Sequence, residues 1–273
     1  MNEIDYSLGC CISAEEWAWL NRVGVFEKPD LTSYIAPFPP QELMYNVSGL
    51  QNQKDFASHG VDLFQAYSQA SPIPLTDYQN LLDFGCGCGR LARMFKGHPH
   101  KVTGCDIDSR HIKWINDNLA YMTSVVTSVH PPLPFSDHQF DGIIANSVFT
   151  HLNENSQDQF LSELHRICIP NGYLLLSIHG ARALERSINE KTIRDMISVE
   201  EKLFQKARSA FDKNQYAFIL QQGHLTTSFF EYGITFIPES YIRNHWNRWF
   251  EIVDYCKGAI HSWQDIVVLK PLK

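Results

Sequence analysis

The sequence predicts an α/β fold with a mostly parallel sheet. From Leu81 onward, short apolar stretches alternate with amphipathic helical stretches, which is the pattern of strands joined by crossover helices. A glycine-rich turn directly follows the first of these strands, and an acidic residue, Asp106, ends the second. The last two apolar stretches lie close together in the sequence and predict a terminal antiparallel hairpin.

The composition is that of an ordinary globular protein and excludes several classes. Of the 273 residues, 44% are hydrophobic and 19% are charged, so the chain has ample material for a core. Its 23 basic and 30 acidic side chains give a net charge of −7, which disfavours nucleic acid as a partner. The longest apolar run, residues 173–176, is far shorter than the roughly 20 residues of a membrane span.

The seven cysteines predict buried thiols rather than disulfides or a metal site. They form an odd set without a Cys-x-x-Cys pair, and Cys10 and Cys11 are adjacent, which suits neither a zinc knuckle nor an easy disulfide. The acidic first residues lack the basic start and apolar core of a signal peptide. We therefore expect a cytoplasmic protein in a reducing compartment.

Residues 1–79 predict an N-terminal helical extension. A short helix is expected near residues 15–20, and Pro29, Pro37, Pro39 and Pro40 then interrupt regular structure. Residues 55–70 place apolar side chains at three- and four-residue steps, which predicts one amphipathic helix.

Residues 80–180 predict the core of the fold. Five apolar stretches are the expected strands, at residues 81–84, 101–105, 122–127, 140–145 and 173–178. Helices are expected between them, near residues 90–96, 110–120 and 155–168, the last with Asn153 as its N-cap.

The rest of the chain predicts an insertion and the end of the sheet. Residues 181–223 are helical in pattern and residues 224–237 return to strand character, so residues 181–237 are expected to form a lid beside the acceptor site. Residues 238–273 begin with a helix from Pro238 to Trp246. Two strands follow, at residues 250–255 and 265–269, and their hairpin around Gly258 brings the sheet to seven strands.

The glycine loop carries the first functional signal. Gly85, Gly87 and Gly89 allow a tight turn close to a ligand, and the helix expected after them directs its N–H groups to the same place. Asp83 adds a carboxylate beside the loop, and Asp106 can accept two ribose hydroxyls. The spacing is G-x-G-x-G and not the dinucleotide pattern G-x-G-x-x-G. The loop therefore favours an amino-acid-bearing nucleoside over a pyrophosphate.

Four stretches of the sequence carry a family signature. They are residues 82–90 (LDFGCGCGR), residues 102–108 (VTGCDID), residues 132–141 (PLPFSDHQFD), and residues 161–166 with 170–176 (LSELHR and PNGYLLL). Together they resemble the class I S-adenosylmethionine-dependent methyltransferases, strongly over residues 78–180 and more loosely over the terminal hairpin. The resemblance implies a Rossmann-like sandwich, S-adenosyl-L-methionine as cofactor and S-adenosyl-L-homocysteine as product.

The resemblance also implies roles for individual residues. Asp83 and Gly85 border the methionine moiety, and Asp106 holds the ribose. Arg90 either reaches the methionine carboxylate or is a surface residue of the first helical turn. The other implied cofactor-binding residues are Cys86, Gly87 and Gly89 in the loop, Ile107 against adenine, and Asn146 and Ser147 on the methyl side. Many relatives have an acid after the third strand that bonds the adenine amino group, but residues 127–130 contain none.

Three histidines are candidates for a general base. A hydroxyl acceptor loses a proton during methyl transfer, and histidine is the natural base at neutral pH. His151 follows the fourth strand, His179 ends the fifth, and His224 opens the segment after the helical part of the insertion. Open α/β sheets bind ligands at the carboxyl ends of their strands, so all three are well placed. The alternative for each is a histidine that only caps or packs a loop.

The acceptor is expected to be a small molecule or a sugar, methylated without a metal ion. Motifs of nucleic-acid-methylating relatives are missing after the fourth strand, and Asn146 and Ser147 stand where metal-dependent relatives have carboxylates. Aromatic residues between positions 181 and 237 suit either an aromatic-lined lid or a small accessory core. The alternatives are N-methylation of a small amine, which needs no base, and a non-catalytic S-adenosylmethionine-binding module. The sequence leaves the oligomeric state open.

Overall fold

The computed structural model describes residues 7–8, 11–22, 24–221 and 231–273. The chain divides into two compact units, the first ending at Thr127 and the second beginning at Ser128. Across these described ranges, no helix is both long enough and apolar enough to cross a membrane.

The first unit contains the N-terminal helices, a pair of two-residue strands and three parallel strands of the large sheet. The strands pair in sequence order, with Leu82 opposite Thr103 and Cys105 opposite Val125. The elements are β1 (Ser7–Leu8), β2 (Cys11–Ile12), α1 (Ala14–Leu20), α2 (Gln41–Ser48), α3 (Gln53–Ala70), a 3₁₀ turn (Leu75–Asp77), β3 (Asn80–Phe84), a 3₁₀ helix (Ala92–Phe95), β4 (Lys101–Asp106), α4 (Ser109–Asn118) and β5 (Thr123–Val126).

The N-terminal helices are attached to the segment that follows the glycine loop. The indole N–H of Trp17, on α1, donates to the carbonyl of Met94 at 2.8 Å. Arg93 is buried and donates to the carbonyls of Pro37 and Ala36 at 2.7 and 2.6 Å, and its guanidinium lies 3.6 Å from the centre of the Phe38 ring. These contacts make the N-terminal segment part of the first unit.

The second unit contains the other four strands of the sheet and the insertion. Strand β6 pairs with β7 in parallel, while β11 is antiparallel to both β7 and β10. The elements are β6 (Phe140–Ala145), α5 (Glu154–Ile167), β7 (Cys168–Ile178), α6 (Ala181–Asn189), α7 (Lys191–Ile197), α8 (Glu201–Phe211), β8 (Ala217–Leu220), β9 (Gly233–Phe236), α9 (Glu239–His245), a 3₁₀ turn (Trp246–Arg248), β10 (Phe250–Ile260) and β11 (Gln264–Pro271).

The predicted fold class is confirmed. The sheet has seven strands and is mostly parallel, and β10 and β11 form its antiparallel hairpin. Strands β8 and β9 form a separate two-stranded sheet. The four segments predicted from the sequence, at residues 1–79, 80–180, 181–237 and 238–273, stay a prediction.

Three local predictions were wrong. The helix expected at residues 90–96 is only a four-residue 3₁₀ helix, so no regular helix directs its N-terminus at the glycine loop. Residues 181–223 are not all helical, because Ala217–Leu220 pairs with Gly233–Phe236 as a strand. The terminal hairpin turns at residues 261–263, whereas Gly258 lies inside β10 at φ +62°, where the pairing register shifts.

A helix was also missed at residues 41–48. The prolines before it were interpreted as interrupting regular structure, but Pro40 is the N-cap residue of α2. A proline fits the start of a helix, because the first N–H groups have no partner within the helix. The helix ends at Gly49, whose φ of +69° is the left-handed conformation typical of such ends.

The insertion has its own core. Apolar side chains of α6 and α8 pack on the two strands β8 and β9, and they include Leu184, Phe204, Ile219 and Phe236. Phe204 and Phe236 are fully buried. These two aromatic residues therefore belong to an accessory core, as one of the two sequence interpretations expected.

Candidate functional site

The glycine loop between β3 and the 3₁₀ helix folds back onto the end of β4. The N–H groups of Gly85 and Cys86 both donate to the carbonyl of Cys105, at 2.8 and 3.0 Å. Gly85, Gly87 and Gly89 have φ values of +74°, +53° and +89°. Residues with a side chain rarely adopt this conformation, so the loop depends on glycine at each of the three positions.

Asp106 joins the end of β4 to this loop. Its Oδ2 accepts the N–H of Gly87 at 2.9 Å, and its Oδ1 accepts the N–H of Asp108 at 2.9 Å. Each carboxylate oxygen can accept about two hydrogen bonds, so the side chain retains acceptor capacity for hydroxyl groups. Ile107 follows directly, before α4 begins at Ser109.

Asp83 is a buried carboxylate at the end of β3. The residue is 1% exposed, and its Oδ2 has no hydrogen-bond partner among the described residues. Burial raises the pKa of Asp83 to about 7, because an ionised carboxylate loses its hydration there. Arg90 opposes this rise in pKa and Asp106 adds to it. A cationic ligand group would therefore stabilise the ionised form of this buried carboxylate.

Arg90 is buried rather than on the surface, so the surface interpretation was wrong. It is 8% exposed, and burial lowers its pKa. Its Nη1 donates to Nδ1 of His59, on α3, at 3.1 Å, while its Nε has no partner within the described structure. Sequence reasoning missed His59, since no motif connects positions 59 and 90.

These features fit the amino-acid part of S-adenosyl-L-methionine. Asp83 has an orphaned acceptor atom that suits an ammonium group, and Arg90 has an orphaned donor atom and a positive charge that suit a carboxylate. Asp106 has acceptor capacity for ribose hydroxyls. All three residues belong to the first unit. The donor set therefore matches the charges of the cofactor that the sequence implied.

Helix α2 packs directly on the glycine loop. A Cβ at Gly87 would lie 2.8 Å from Cγ2 of Val47, and the Cys88 thiol donates to the carbonyl of Leu43 at 3.4 Å. The side chain of Cys86 packs on β4, because a Cβ at Gly104 would lie 2.9 Å from its Sγ. No sequence signal predicts these contacts, since α2 itself was not predicted.

His111, in the first turn of α4, is a further residue that the sequence analysis did not single out. It is 6% exposed, and neither ring nitrogen has a hydrogen-bond partner among the described residues. Its Nδ1 lies 3.9 Å from Oδ1 of Asp106, and its Nε2 lies 4.0 Å from Oδ2 of Asp108. An imidazole thus borders the carboxylate that is expected to hold the ribose.

In the second unit, Asn146 and Ser147 follow β6, and Ser147 is hydrogen-bonded to polar side chains. Asn146 is buried, and Ser147 has a left-handed φ of +59°. The N–H of Ser147 donates to Oγ of Ser177 at 2.7 Å, and Nε2 of Gln264 donates to Oγ of Ser147 at 2.9 Å. These bonds hold Ser147 in a conformation that is uncommon for a residue with a side chain.

His151 is held in one tautomer by a main-chain carbonyl. Its Nδ1 lies 2.8 Å from the oxygen of Gly233, and a carbonyl only accepts, so Nδ1 carries the proton. Nε2 then has the lone pair in the neutral ring. The imidazole also stacks on Tyr232, with 4.6 Å between ring centroids and 15° between the planes. This combination orients the ring in the way expected of a general base.

His179 lies deeper than His151 and is held neutral. It is 3% exposed and makes ring contacts with Trp263 and Phe236 at centroid distances of 5.1 and 5.7 Å. Its Nδ1 lies 3.2 Å from the carbonyl of Thr235. Burial, with a smaller contribution from His151, lowers the pKa of His179 to about 3. His224, the third candidate, lies outside the described residues.

The two candidate bases within the described residues, His151 and His179, lie close together. The rings of His151 and His179 are 6.5 Å apart at their centroids and meet at 82°. The sequence placed both at the ends of strands, but it gave no indication of Tyr232 and Trp263 as their ring partners. The second unit thus contains one imidazole suited to accept a proton beside a second that packs against aromatic side chains.

Comparison with known proteins identifies the domain that contains the glycine loop. Residues 82–176 match the sequence model of a methyltransferase domain. The fold is similar to that of the PH0226 protein from Pyrococcus horikoshii, with a TM-score of 0.59 and 16% identity, covering 86% of this chain and 100% of that chain.

Two further solved structures share the fold. One is a SAM-dependent methyltransferase from Methanosarcina mazei, with a TM-score of 0.50 and 17% identity over 72% of this chain and 93% of that chain. The other is the glycopeptide N-methyltransferase MtfA in complex with S-adenosyl-L-methionine, with a TM-score of 0.51 and 13% identity over 78% of this chain and 94% of that chain. The Rossmann-like fold expected from the sequence is therefore the fold of these proteins.

Proposed function

We propose that this chain is a class I S-adenosyl-L-methionine-dependent methyltransferase that transfers the methyl group to a hydroxyl of a small molecule or sugar without a metal ion. The observation that supports a hydroxyl acceptor is the hydrogen bond of 2.8 Å between His151 and Gly233. It leaves Nε2 of the neutral imidazole as a proton acceptor, and a hydroxyl needs such a group far more than an amine does.

The first unit would hold the cofactor through charged and polar groups. Asp83 would bind its ammonium group, Arg90 its carboxylate and Asp106 its ribose hydroxyls, while the three glycines of the loop let the backbone approach closely. Ile107 would pack against the adenine. The bound cofactor supplies an electrophilic methyl group on a sulfonium. Catalysis then depends on alignment of the acceptor and on removal of its proton.

His151 would take the proton of the acceptor hydroxyl. The Gly233 carbonyl accepts from Nδ1, so it keeps the proton away from Nε2 and stabilises the imidazolium that forms. Stacking on Tyr232 fixes the plane of the ring. His179 is a much weaker base, since its pKa is about 3. We assign it a packing role beside His151. Asn146 and Ser147 would line the methyl side.

The surroundings of the two histidines favour an uncharged acceptor. Their ring partners are the partly exposed Tyr232 and Trp263, together with the buried Phe236. Aromatic faces suit the apolar faces of sugar rings and other small organic molecules. Asn146 and Ser147 follow β6 in place of carboxylates, which supports metal independence. The net charge of −7 disfavours nucleic acid.

A reducing compartment suits the free thiols of this chain. Cys86, Cys88, Cys105 and Cys168 are buried and unpaired as disulfides. Proteins with many free buried cysteines are typical of the cytoplasm, where thiols stay reduced. We therefore propose a cytoplasmic enzyme.

An acceptor panel tests the proposed function. The protein would be incubated with S-adenosyl-L-methionine that carries a labelled methyl group, together with small alcohols, phenols, sugars and matched amines. We expect label in hydroxyl-bearing products and its loss in His151→Ala. Transfer to amines alone, unaffected by His151→Ala, would instead establish N-methylation. Binding of the cofactor without transfer to any acceptor would favour the non-catalytic module.

A further inference from the structure

We propose that His59, on α3, is a positioning residue that orients Arg90 to bind the cofactor carboxylate. The proposal rests on the role of Arg90 proposed above. It assigns to α3 a part in cofactor binding that acts through Arg90, and it concerns a residue 23 positions before the methyltransferase-domain match begins at position 82.

The hydrogen bond between the two side chains defines their protonation. Nη1 of Arg90 and Nδ1 of His59 are 3.1 Å apart. Arginine only donates, so Nδ1 of His59 accepts, and the imidazole is neutral with its proton on Nε2. The contact therefore anchors the guanidinium through Nη1, while Nε has no hydrogen-bond partner among the described residues.

The choice of histidine as the anchor has a consequence for charge. A buried guanidinium is normally paired with a carboxylate, which would cancel its charge. A neutral imidazole instead satisfies one donor without adding a negative charge, so Asp83 is the nearby carboxylate that interacts with the charge of Arg90. Nε of Arg90 has no partner in the described part of the chain, although the residue is only 8% exposed. Arg90 is thus held in place and still able to bind an anion.

The helix that carries His59 is shaped to approach Arg90 closely. The next residue is Gly60, and a Cβ there would lie 2.7 Å from the carbonyl oxygen of Arg90. Phe56 and Phe64, one turn before and after Gly60, are fully buried and fix the helix against the unit. Two adjacent residues of α3 therefore accommodate the main chain and the side chain of the same arginine. A flexible arginine side chain would otherwise lose rotamer entropy on binding a ligand, and a side chain that is already held in place loses less.

The test measures binding of two ligands that differ only in the carboxylate. Calorimetry would compare S-adenosyl-L-homocysteine with its decarboxylated analogue, which retains the ammonium, ribose and adenine. For wild-type protein we expect clearly tighter binding of the carboxylate-bearing ligand. His59→Leu fills similar volume but accepts no hydrogen bond. It should weaken S-adenosyl-L-homocysteine binding about tenfold and leave the analogue within about twofold.

A conservative variant separates positioning from packing. In His59→Asn the side-chain oxygen can replace Nδ1 as the acceptor, so this variant should recover most of the affinity for S-adenosyl-L-homocysteine. Gln69→Ala, at an exposed position of the same helix, is the matched control and should change neither affinity. Thermal unfolding would verify that each variant is folded, and if His59→Leu is not, His59→Ala replaces it with the same expectation.

The outcomes that contradict the proposal are distinct from a failure of the proposed function. An unchanged ratio of the two affinities in folded His59→Leu would overturn the role of His59 while S-adenosyl-L-homocysteine still binds the wild type. Equal weakening of both ligands would show a structural role only. If the wild type does not distinguish the two ligands, the proposed role of Arg90 fails, and the role of His59 fails with it.

Discussion

Asp106 accepts the main-chain N–H of Gly87 at 2.9 Å, so the carboxylate expected to hold the ribose also holds the glycine loop. Its other oxygen accepts the N–H of Asp108. From the sequence, Asp106 is expected only to face a ligand. The structure instead makes one side chain responsible for both the shape of the loop and the proposed contact with the cofactor.

The first prediction is that Asp106→Ala affects both properties. Cofactor affinity should fall by about 2–3 kcal/mol, because charged hydrogen bonds to the ribose are lost. The free energy of unfolding should also fall, by about 1–3 kcal/mol, because two main-chain N–H groups lose their acceptor. Calorimetry with S-adenosyl-L-homocysteine and urea unfolding would measure the two effects.

A conservative variant and a matched control test this prediction further. Asp106→Asn retains an acceptor oxygen and should recover part of the stability but little of the affinity. Asp117→Ala, which removes an exposed carboxylate of α4, should change neither quantity by more than about 0.5 kcal/mol. A folded Asp106→Ala protein with wild-type affinity would show that the ribose is held elsewhere.

The second prediction concerns Gly87 and the helix that packs on it. Gly87→Ala introduces a Cβ at φ +53°, only 2.8 Å from Cγ2 of Val47. We expect a conformational cost of about 1–2 kcal/mol in unfolding free energy. Overpacking should add about 1–3 kcal/mol. Urea unfolding measures the sum, and cofactor affinity should fall as well.

The chain offers a matched control for each part of that cost. Gly49→Ala has a similar φ of +69° but open space around its Cβ, so only the conformational cost applies. Adding Val47→Ala to Gly87→Ala should recover the overpacking part beyond what Val47→Ala alone changes. Equal costs for Gly49→Ala and Gly87→Ala would mean that α2 does not restrict the loop.

Much of the candidate cofactor site could be predicted because its residues are neighbours in the sequence. Asp83, the three loop glycines and Asp106 occur within two strand–turn units, and the register of β3 with β4 brings them together. Only short-range spacing is needed to place them. Local pattern is therefore sufficient for this half of the site.

The rest of the site depends on packing between distant segments. His59 precedes Arg90 by 31 positions, and Val47 precedes Gly87 by 40, and neither pair has a motif that links it. Arg90 was ambiguous because a single sequence does not reveal burial. The 3₁₀ helix after the loop forms in place of the expected α-helix although Ala, Arg and Met have high helix propensity, because local propensity is a weak constraint.

The third prediction is a pH dependence of cofactor binding. Burial raises the pKa of Asp83 to about 7, so the carboxyl is largely protonated at pH 5.5 and largely ionised above pH 7.5. An ammonium group is bound by the ionised form. Affinity for S-adenosyl-L-homocysteine should therefore rise from pH 5.5 to pH 7.5, and calorimetry across this range in buffers of matched ionic strength would measure it.

Stability without ligand should change in the opposite direction for the same group. Between about pH 4 and pH 7 the folded state retains a proton on Asp83 that the unfolded chain has lost, so unfolding free energy falls as pH rises. Asp83→Asn should remove both pH dependences. If the variant retains the full rise in affinity, another group is responsible.

The fourth prediction is that His179 destabilises the fold in acid. Its pKa is lowered to about 3, so between pH 6.5 and pH 3 the unfolded state binds a proton that the folded state does not. Unfolding free energy should fall as pH falls through this range, by up to about 1.4 kcal/mol per pH unit from this group. His179→Asn keeps a donor for the Thr235 carbonyl but does not titrate, and its acid dependence should be weaker. His130→Asn, at an exposed position, is the control that should behave as wild type.

The last prediction tests His151 as the general base once an acceptor is known. His151→Ala should slow methyl transfer by about 10²–10⁴-fold, while affinity for S-adenosyl-L-homocysteine stays within about twofold, because the residue is assigned no cofactor contact. His151→Gln should not restore the rate, since an amide can orient a hydroxyl but cannot take its proton. Single-turnover kinetics would separate the chemical step from product release.

The pH profile supplies the independent measurement. The wild-type rate should fall as the pH is lowered, because acid protonates the imidazole. This acidic limb of the pH–rate profile should disappear in His151→Gln. His179→Asn should keep the limb, because a group with a pKa of about 3 stays neutral across the range. Tyr232→Leu, which removes the ring stacked on His151, should lower the rate less than His151→Ala and leave the limb in place. Near-normal turnover in His151→Ala would mean that another group is the general base or that alignment alone drives transfer. An unchanged acidic limb of the pH–rate profile in the same variant would exclude His151 as the titrating base.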